Sequence, residues 1–276
     1  MRKLKGKRVL ITGGAGGIGL CTAEEFAKAG AEPIITDINE NALAQAADKL
    51  RAFHVPVHTR RVDVTDRAQV EALARWVNDD LGGLDILINN AGIGHSGELI
   101  DTTIDDWERL IKVNLCGPLY HVYAFLPAMI ARGGGQIVNI SSGQAFFRLP
   151  TWGAYATIKL ALGAFSEILH WEVKKHNVRV TTVYPFMVNT SFYKDISGET
   201  LGQKLSMKLV PYYSMTPEKV GKIIFQATKK KKQIEMVSLI NDFGFYSRLV
   251  PPLADFMSWT SNLFLTAGGK TNKQGA

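Results

Sequence analysis

Cysteine is the scarcest residue here: 276 residues hold two, Cys21 and Cys116, far apart and both in stretches that read as helices. Two thiols so placed build no disulfide framework, so a reducing, cytoplasmic setting is expected. Neither stands at a metal-ligand spacing and the histidines do not read as a cluster, which disfavours metal catalysis. Long apolar runs are missing too. No stretch reads as a membrane-spanning helix, and the apolar run behind the basic N-terminus is too short for a signal peptide. Linkers rich in Pro, Gly or Ser are absent, as are internal repeats, which argues for one domain over 1–240 and an apolar extension over 241–276. Acid is in deficit: the net charge is +7, with the excess at Arg2, Lys3, Lys5, Lys7 and Arg8 and in the lysine run 229–232. Both clusters read as solvated ends of a strand and a helix, the second complementing a helix dipole. No aromatic-interleaved basic stripe accompanies them, so nucleic acid is not an expected partner.

What is present is alternation. Apolar runs at 8–12, 32–36, 57–62, 85–89, 135–141 and 178–184 read as buried strands, and a shorter seventh fits 234–237. Amphipathic helical stretches separate them, which predicts an α/β fold with a parallel sheet covered on both faces. Helix punctuation agrees. Gly30 closes the first helix, Asp66 caps the third, and Thr216-Pro217-Glu218 opens a late one.

The turn from Thr12 to Gly19 follows a strand and opens a helix, the context of a phosphate-cradling loop. Two registers fit: Gly14, Gly16 and Gly19 as G-x-G-x-x-G, or Thr12-Gly13, Gly17 and Gly19 with Ile18 between. Asp37 ends the second strand, where an acid holds both adenosine ribose hydroxyls and repels a 2′-phosphate. Ile38 and Asn39 follow it and no cation stands in the glycine turn, so NAD(H) is expected over NADP(H). Asp37 also suits a helix N-cap. Asp63-Val64 and Asn89-Asn90-Ala91-Gly92 close the third and fourth strands, where ligands sit in open α/β sheets. Turn formation, or ties across the sheet, would use the same residues. Tyr155 and Lys159 share a helix face one turn apart, and Ser142 lies 13 residues before the tyrosine. An ammonium beside a phenol favours phenolate, and such a pair can move a proton on or off a carbinol oxygen.

In order and spacing these residues resemble the short-chain dehydrogenases/reductases from 7 to about 237. The markers are Thr12-Gly13-x3-Gly17-x-Gly19, Asp63, Asn89-Asn90-Ala91-Gly92, Asn114, Ser142 and Tyr155-x3-Lys159. The resemblance implies a Rossmann-like, doubly wound domain with a seven-stranded sheet, and an alcohol/ketone oxidoreductase. By it, Ser142 orients the substrate oxygen and Tyr155 is the general acid/base. Lys159 lowers the tyrosine pKa and binds the nicotinamide ribose, and Asn114 anchors a water of a proton relay. After the sixth strand the family usually has Pro-Gly; here Phe186 follows Pro185, while Val188 and Thr190 still match cofactor-contacting positions. A homodimer or homotetramer through the helices of Asn114 and Tyr155 is also implied.

Apolar residues gather where substrate should lie. Phe147 and Trp152 follow Ser142 and Gln144; Phe186, Met187, Phe192 and Tyr193 follow the sixth strand. They suit a bulky apolar alcohol or ketone, lipid- or steroid-like, though core or interface packing would use them equally. The segment 242–265, broken by Pro251-Pro252, reads as a flap, a subunit contact or a peripheral membrane anchor beside the lysine run; the residues from Gly268 on read as disordered. Two rival functions remain: an NADPH-dependent carbonyl or 3-oxoacyl-thioester reductase, and a non-catalytic dinucleotide-binding scaffold or redox sensor.

Overall fold

The computed structural model describes residues 4–147, 149–190, 192, 205, 208, 214–247 and 249–265. Tyr193 and the residues from Gly268 on lie outside them. Seven strands form one parallel sheet of order β3-β2-β1-β4-β5-β6-β7. They are β1 Arg8–Thr12, β2 Glu32–Asp37, β3 His58–Arg61, β4 Ile86–Asn89, β5 Gly135–Ile140, β6 Val178–Tyr184 and β7 Ile234–Met236. Chain order reverses at β1, which pairs with β2 on one side and β4 on the other. A crevice opens at the carboxyl ends of the strands on either side of such a reversal.

Burial on both faces explains the apolar strands. Over one face lie α1 (Gly17–Lys28), α2 (Glu40–Arg51) and α8 (Pro217–Lys230), closing a core that includes Ile11, Ile35, Leu50 and Val220. Phe26 of α1 and Phe225 of α8 meet edge to face at 5.1 Å. The other face carries α3 (Arg67–Asp79), α5 (Gly117–Ala131) and α7 (Gly153–Val173), with Leu73, Phe125 and Leu169 against Leu10 and Leu87. The edge strand β3 breaks the apolar pattern, being His-Thr-Arg-Arg and mostly exposed. Arg60 lies over the Trp76 ring at 5.1 Å, and charge along an edge discourages pairing with a foreign strand.

The predicted caps are in place. Asp66 accepts from the Ala68 and Gln69 N–H groups, and Thr216 accepts from Lys219. Asp37 does not cap α2; Asn39 does, accepting from Ala42 at 3.0 Å. The basic clusters are partly paired: Lys7 meets Asp85 at 2.7 Å and Lys232 meets Glu235 at 2.5 Å.

One helix corrects the reading that no segment has membrane-spanning length. α4 (Ile104–Ile111), a π turn (Lys112–Cys116) and α5 run continuously for 28 residues, with a most apolar window of mean hydropathy 1.2. By length and composition that suffices to span. The helix instead buries Val122, Phe125 and Met129 against the sheet. Charges in its first turns hid its length in the sequence.

The described residues end in α9 (Leu239–Ser247) and α10 (Pro251–Leu265), separated where the proline pair forbids one helix. α9 folds back beside the short helix α6 (Gln144–Phe147). Phe245 meets Phe146 edge to face at 5.0 Å, and the Asn241 amide donates to the Tyr184 carbonyl.

Candidate active site

A cleft of about 290 Å³ lies at the carboxyl ends of β1, β4, β5 and β6. Its floor is the β1–α1 turn, lined by Gly13, Gly16, Gly17 and Ile18, with Asp37 to one side. Contacts distinguish the two glycine registers. A Cβ on Gly19 would stand 2.1 Å from the Gly13 carbonyl oxygen, and Gly17 has a φ of +51° that favours glycine. Gly16 faces open space. Steric demand therefore falls on Gly13, Gly17 and Gly19, and also on Gly14, where a Cβ would meet Ile35 at 2.8 Å; Gly16 alone of the first register escapes it, as the N-cap of α1, whose free N–H groups face the cleft. A diphosphate fits this cradle: backbone can approach closely and a helix N-terminus faces it.

Hydrogen bonds hold the cradle to the β4 end. Thr12 Oγ1 accepts from the Asn90 and Ala91 N–H groups, each at 3.0 Å. Asn90 Nδ2 donates to the Thr12 carbonyl at 2.9 Å and to that of Gly13 at 3.1 Å. Asn89 points inward, donating to Asn139 at 2.8 Å, and Asn139 donates to Ser166 at 2.8 Å. The threonine before the first glycine is thus a structural member that motif reading left without a role. Asp37 accepts from Asn39 N at 3.1 Å and from Ala15 N at 3.4 Å, keeping its carboxylate at the cleft edge.

Ser142, Tyr155 and Lys159 line the same cleft, as do Asn90, Ala91 and Gly92. Ser141 is not their equal: its hydroxyl donates to the Lys159 carbonyl at 2.7 Å and anchors α7 to β5. Ser142 Oγ accepts from Gln144 N at 3.2 Å. Lys159 is buried, with Nζ donating to the Ile140 carbonyl at 3.1 Å and lying 5.7 Å from the Tyr155 ring centre. Burial lowers its pKa from 10.5 to about 8.

Asn114 sits in the π turn, fully buried, as single π turns often do at functional sites. Its Nδ2 donates to the Ile93 carbonyl at 3.0 Å and that of Leu110 at 3.2 Å; its Oδ1 accepts from Ile93 N at 3.2 Å. A Cβ on Gly92 would stand 2.8 Å from that Oδ1 and 3.5 Å from Lys159 Nζ. Glycine there keeps open the space between the two groups.

Pro185, Val188 and Thr190 line the cleft, with Met187 and Phe192 beside them. Gly143 N donates to the Pro185 carbonyl at 2.7 Å, and its missing side chain leaves room for the Phe186 ring. Met187, the residue after Phe186, takes a positive φ of +46°. A smaller pocket of about 20 Å³ adjoins Ser142 and Tyr155 and is walled by Gln144, Trp152, Phe186, Met187 and Phe192.

Five expected contact residues lie elsewhere. Phe147 stands behind Phe186, ring centres 4.7 Å apart, against Gly244 of α9. Gly19 packs under the turn, and Ile38 lies outside the cleft lining. The Asp63 carboxylate is taken by its own turn, accepting from Thr65 N and Oγ1 at 2.8 Å each. Val64 is buried against Gly117. His54 and His58 do stand four apart, but one is in a turn at φ +58° and the other begins β3. Among the described residues no group of three metal-ligating side chains occurs.

A family profile described as short chain dehydrogenase matches residues 7–200. The probable oxidoreductase EphD of Mycobacterium tuberculosis is 36% identical over 83% of this chain, which spans only 40% of that relative's length. The bovine dehydrogenase/reductase SDR family member 7B is 32% identical over 88% of this chain and 77% of its own. Among solved structures, a short-chain dehydrogenase/reductase from Burkholderia phymatum in complex with NAD superposes with a TM-score of 0.82, at 26% identity, over 90% of this chain and 95% of that one. L-sorbose reductase from Gluconobacter frateurii, complexed with NADPH and L-sorbose, gives 0.74 at 29% identity over 84% and 95%.

Proposed function

This chain belongs to the short-chain dehydrogenase/reductase family, and from that premise we propose that it is an NAD(H)-dependent oxidoreductase interconverting a secondary alcohol and a ketone on a bulky apolar substrate. The single observation that carries the reading is that Ser142, Tyr155 and Lys159 line the same cleft as the glycine turn and Asp37. When bound, the nicotinamide supplies or accepts the hydride. In the oxidation direction Ser142 Oγ holds the substrate hydroxyl and Tyr155 Oη takes its proton. The buried Lys159 ammonium favours the phenolate that does so. Asn114, across the gap over Gly92, holds a water through which the proton leaves. Gly13, Gly16, Gly17 and Ile18 hold the diphosphate, Asn90 to Gly92 with Val188 and Thr190 the nicotinamide half, and Asp37 the adenosine ribose.

Asp37 supports NAD(H), since its carboxylate at the cleft edge repels a 2′-phosphate. The apolar walls Trp152, Phe186, Met187 and Phe192 support an apolar substrate. A homodimer or homotetramer is the expected assembly, because α7 exposes Leu160, Ile168 and Trp171, and α5 exposes Tyr123. NADPH-dependent carbonyl reduction has one observation in its favour, the NADPH complex of the sorbose reductase to which the fold is similar.

The test is a fluorescence titration with NADH and NADPH, followed by turnover on a panel of alcohols and ketones. Tighter NADH binding with hydride transfer supports the reading. Tighter NADPH binding overturns the assignment of Asp37, and NADH binding without any turnover makes the protein a scaffold.

A further inference from the structure

Gln144 is the polar residue beside Ser142 and Tyr155 that the proposed reaction does not use. It opens α6, is 4% exposed, and its backbone N–H is spent on Ser142 Oγ. Its side-chain Oε1 is buried and has no hydrogen-bond partner among the described residues. A buried amide oxygen left unpaired loses its hydration without compensation. The rest of the small pocket, apart from Ser142 and Tyr155, is Trp152, Phe186, Met187 and Phe192. Packing needs no amide there; a leucine or methionine would fill the same wall at no such cost.

The pocket's size limits what can pair with the amide. About 20 Å³ is room for roughly one water-sized group. The last torsion of a glutamine is broad, so either amide heteroatom can turn to the pocket. A hydroxyl can donate to the oxygen or accept from the nitrogen; a methyl can do neither. Ser142 and Tyr155 border the same small space, so a hydroxyl reaching Gln144 sits close to the reacting oxygen.

We propose that Gln144 reads a second hydroxyl, on the carbon next to the reacting one, so that the substrate is a vicinal diol and the product its α-hydroxyketone, or the reverse. This rests on Ser142 and Tyr155 holding the reacting oxygen. No chemistry is asked of Gln144: it binds the spectator hydroxyl, and hydride and proton leave the neighbouring carbinol as before. Discrimination follows from the unpaired amide, since an analogue lacking the hydroxyl leaves it unsatisfied in the complex.

The experiment uses matched ketones with NADH: acetoin against butan-2-one, and 2-hydroxyacetophenone against acetophenone. Wild type should reduce the hydroxylated member of at least one pair with kcat/KM roughly 100-fold or more above its deoxy partner. Gln144→Leu should bring that ratio to about one, by losing the hydroxyketone rate while the deoxy rate and NADH affinity stay, which a folding defect would not do. Equal wild-type turnover within both pairs overturns the proposal and leaves the oxidoreductase reading intact. A preference that survives in Gln144→Leu also overturns it, since another group then reads the hydroxyl. Turnover of no ketone, despite NADH binding, removes the reading beneath it and the proposal with it.

Discussion

At the glycine end of the cleft, positions are set by backbone and small polar groups. Thr12 Oγ1 and the Asn90 amide fasten the β1 turn to the β4 turn, and Gly19 has no room for a methyl group. At the Ser142 end, rings set the positions. Phe147 backs Phe186, and Trp152 and Phe192 flank Tyr155 at 5.9 and 5.7 Å. The first construction permits almost no substitution and suits a ligand whose shape is constant. The second is tolerant packing, where volume can be redistributed and specificity can change while the fold stays.

The largest expected break in this comparison is Gly19→Ala. Its Cβ would collide with the Gly13 carbonyl, so we expect loss of NADH binding and a clear fall in Tm. Gly16→Ala, whose Cβ would face the open cleft, should keep the stability of the cofactor-free protein within about 0.5 kcal/mol of wild type; an equal fall in Tm in both variants would refute the steric reading of the turn.

Lys159→Met should lower turnover by roughly 100-fold or more and yet raise the stability of the cofactor-free protein. The sign follows from burial. With a folded pKa of about 8 against 10.5 unfolded, the unfolded chain holds more protons between those values. The lysine therefore destabilises the fold below pH 8, by something like 3 kcal/mol, and the penalty fades as pH rises toward 10.5. Chemical denaturation at pH 7 and at pH 10 checks it: the variant's advantage should be larger at pH 7.

Asp37→Asn should move the NADPH/NADH affinity ratio upward by about tenfold, removing a like charge from beside the 2′-phosphate. Titration of both cofactors reads it, and an unchanged ratio would place selectivity elsewhere. Phe186→Gly is the smallest. It restores the family's usual residue and removes the ring on the half-buried face of Phe147, at some cost in stability, with KM for ketones changed and NADH affinity held. A change in NADH affinity as large as that in KM would show that the two ends of the cleft are not separable.

Much of this was legible before any coordinates. The central strands announced themselves by apolar runs, because strands covered on both faces have no polar side to alternate; the exposed edge strand β3 did not. Tyr155, Lys159 and Ser142 were visible because fixed spacing on a helix and a strand end carries into space. Other features were hidden for identifiable reasons. The Asp63 carboxylate bonds within its own turn, a local competition that spacing does not reveal. Phe147 and Phe186 are chemically alike, and only the placement of α9 against α6 decides which ring meets the pocket. The π turn around Asn114 has no composition signature, and Gln144 is informative only through its buried amide oxygen, which has no partner among the described residues.

The central claim is that the Tyr155 hydroxyl moves the proton. Its most direct test measures NADH binding and turnover on the same preparation of Tyr155→Phe. The account predicts NADH affinity within about threefold of wild type and turnover lower by roughly 1,000-fold. Turnover near the wild-type level, with NADH bound, would contradict it.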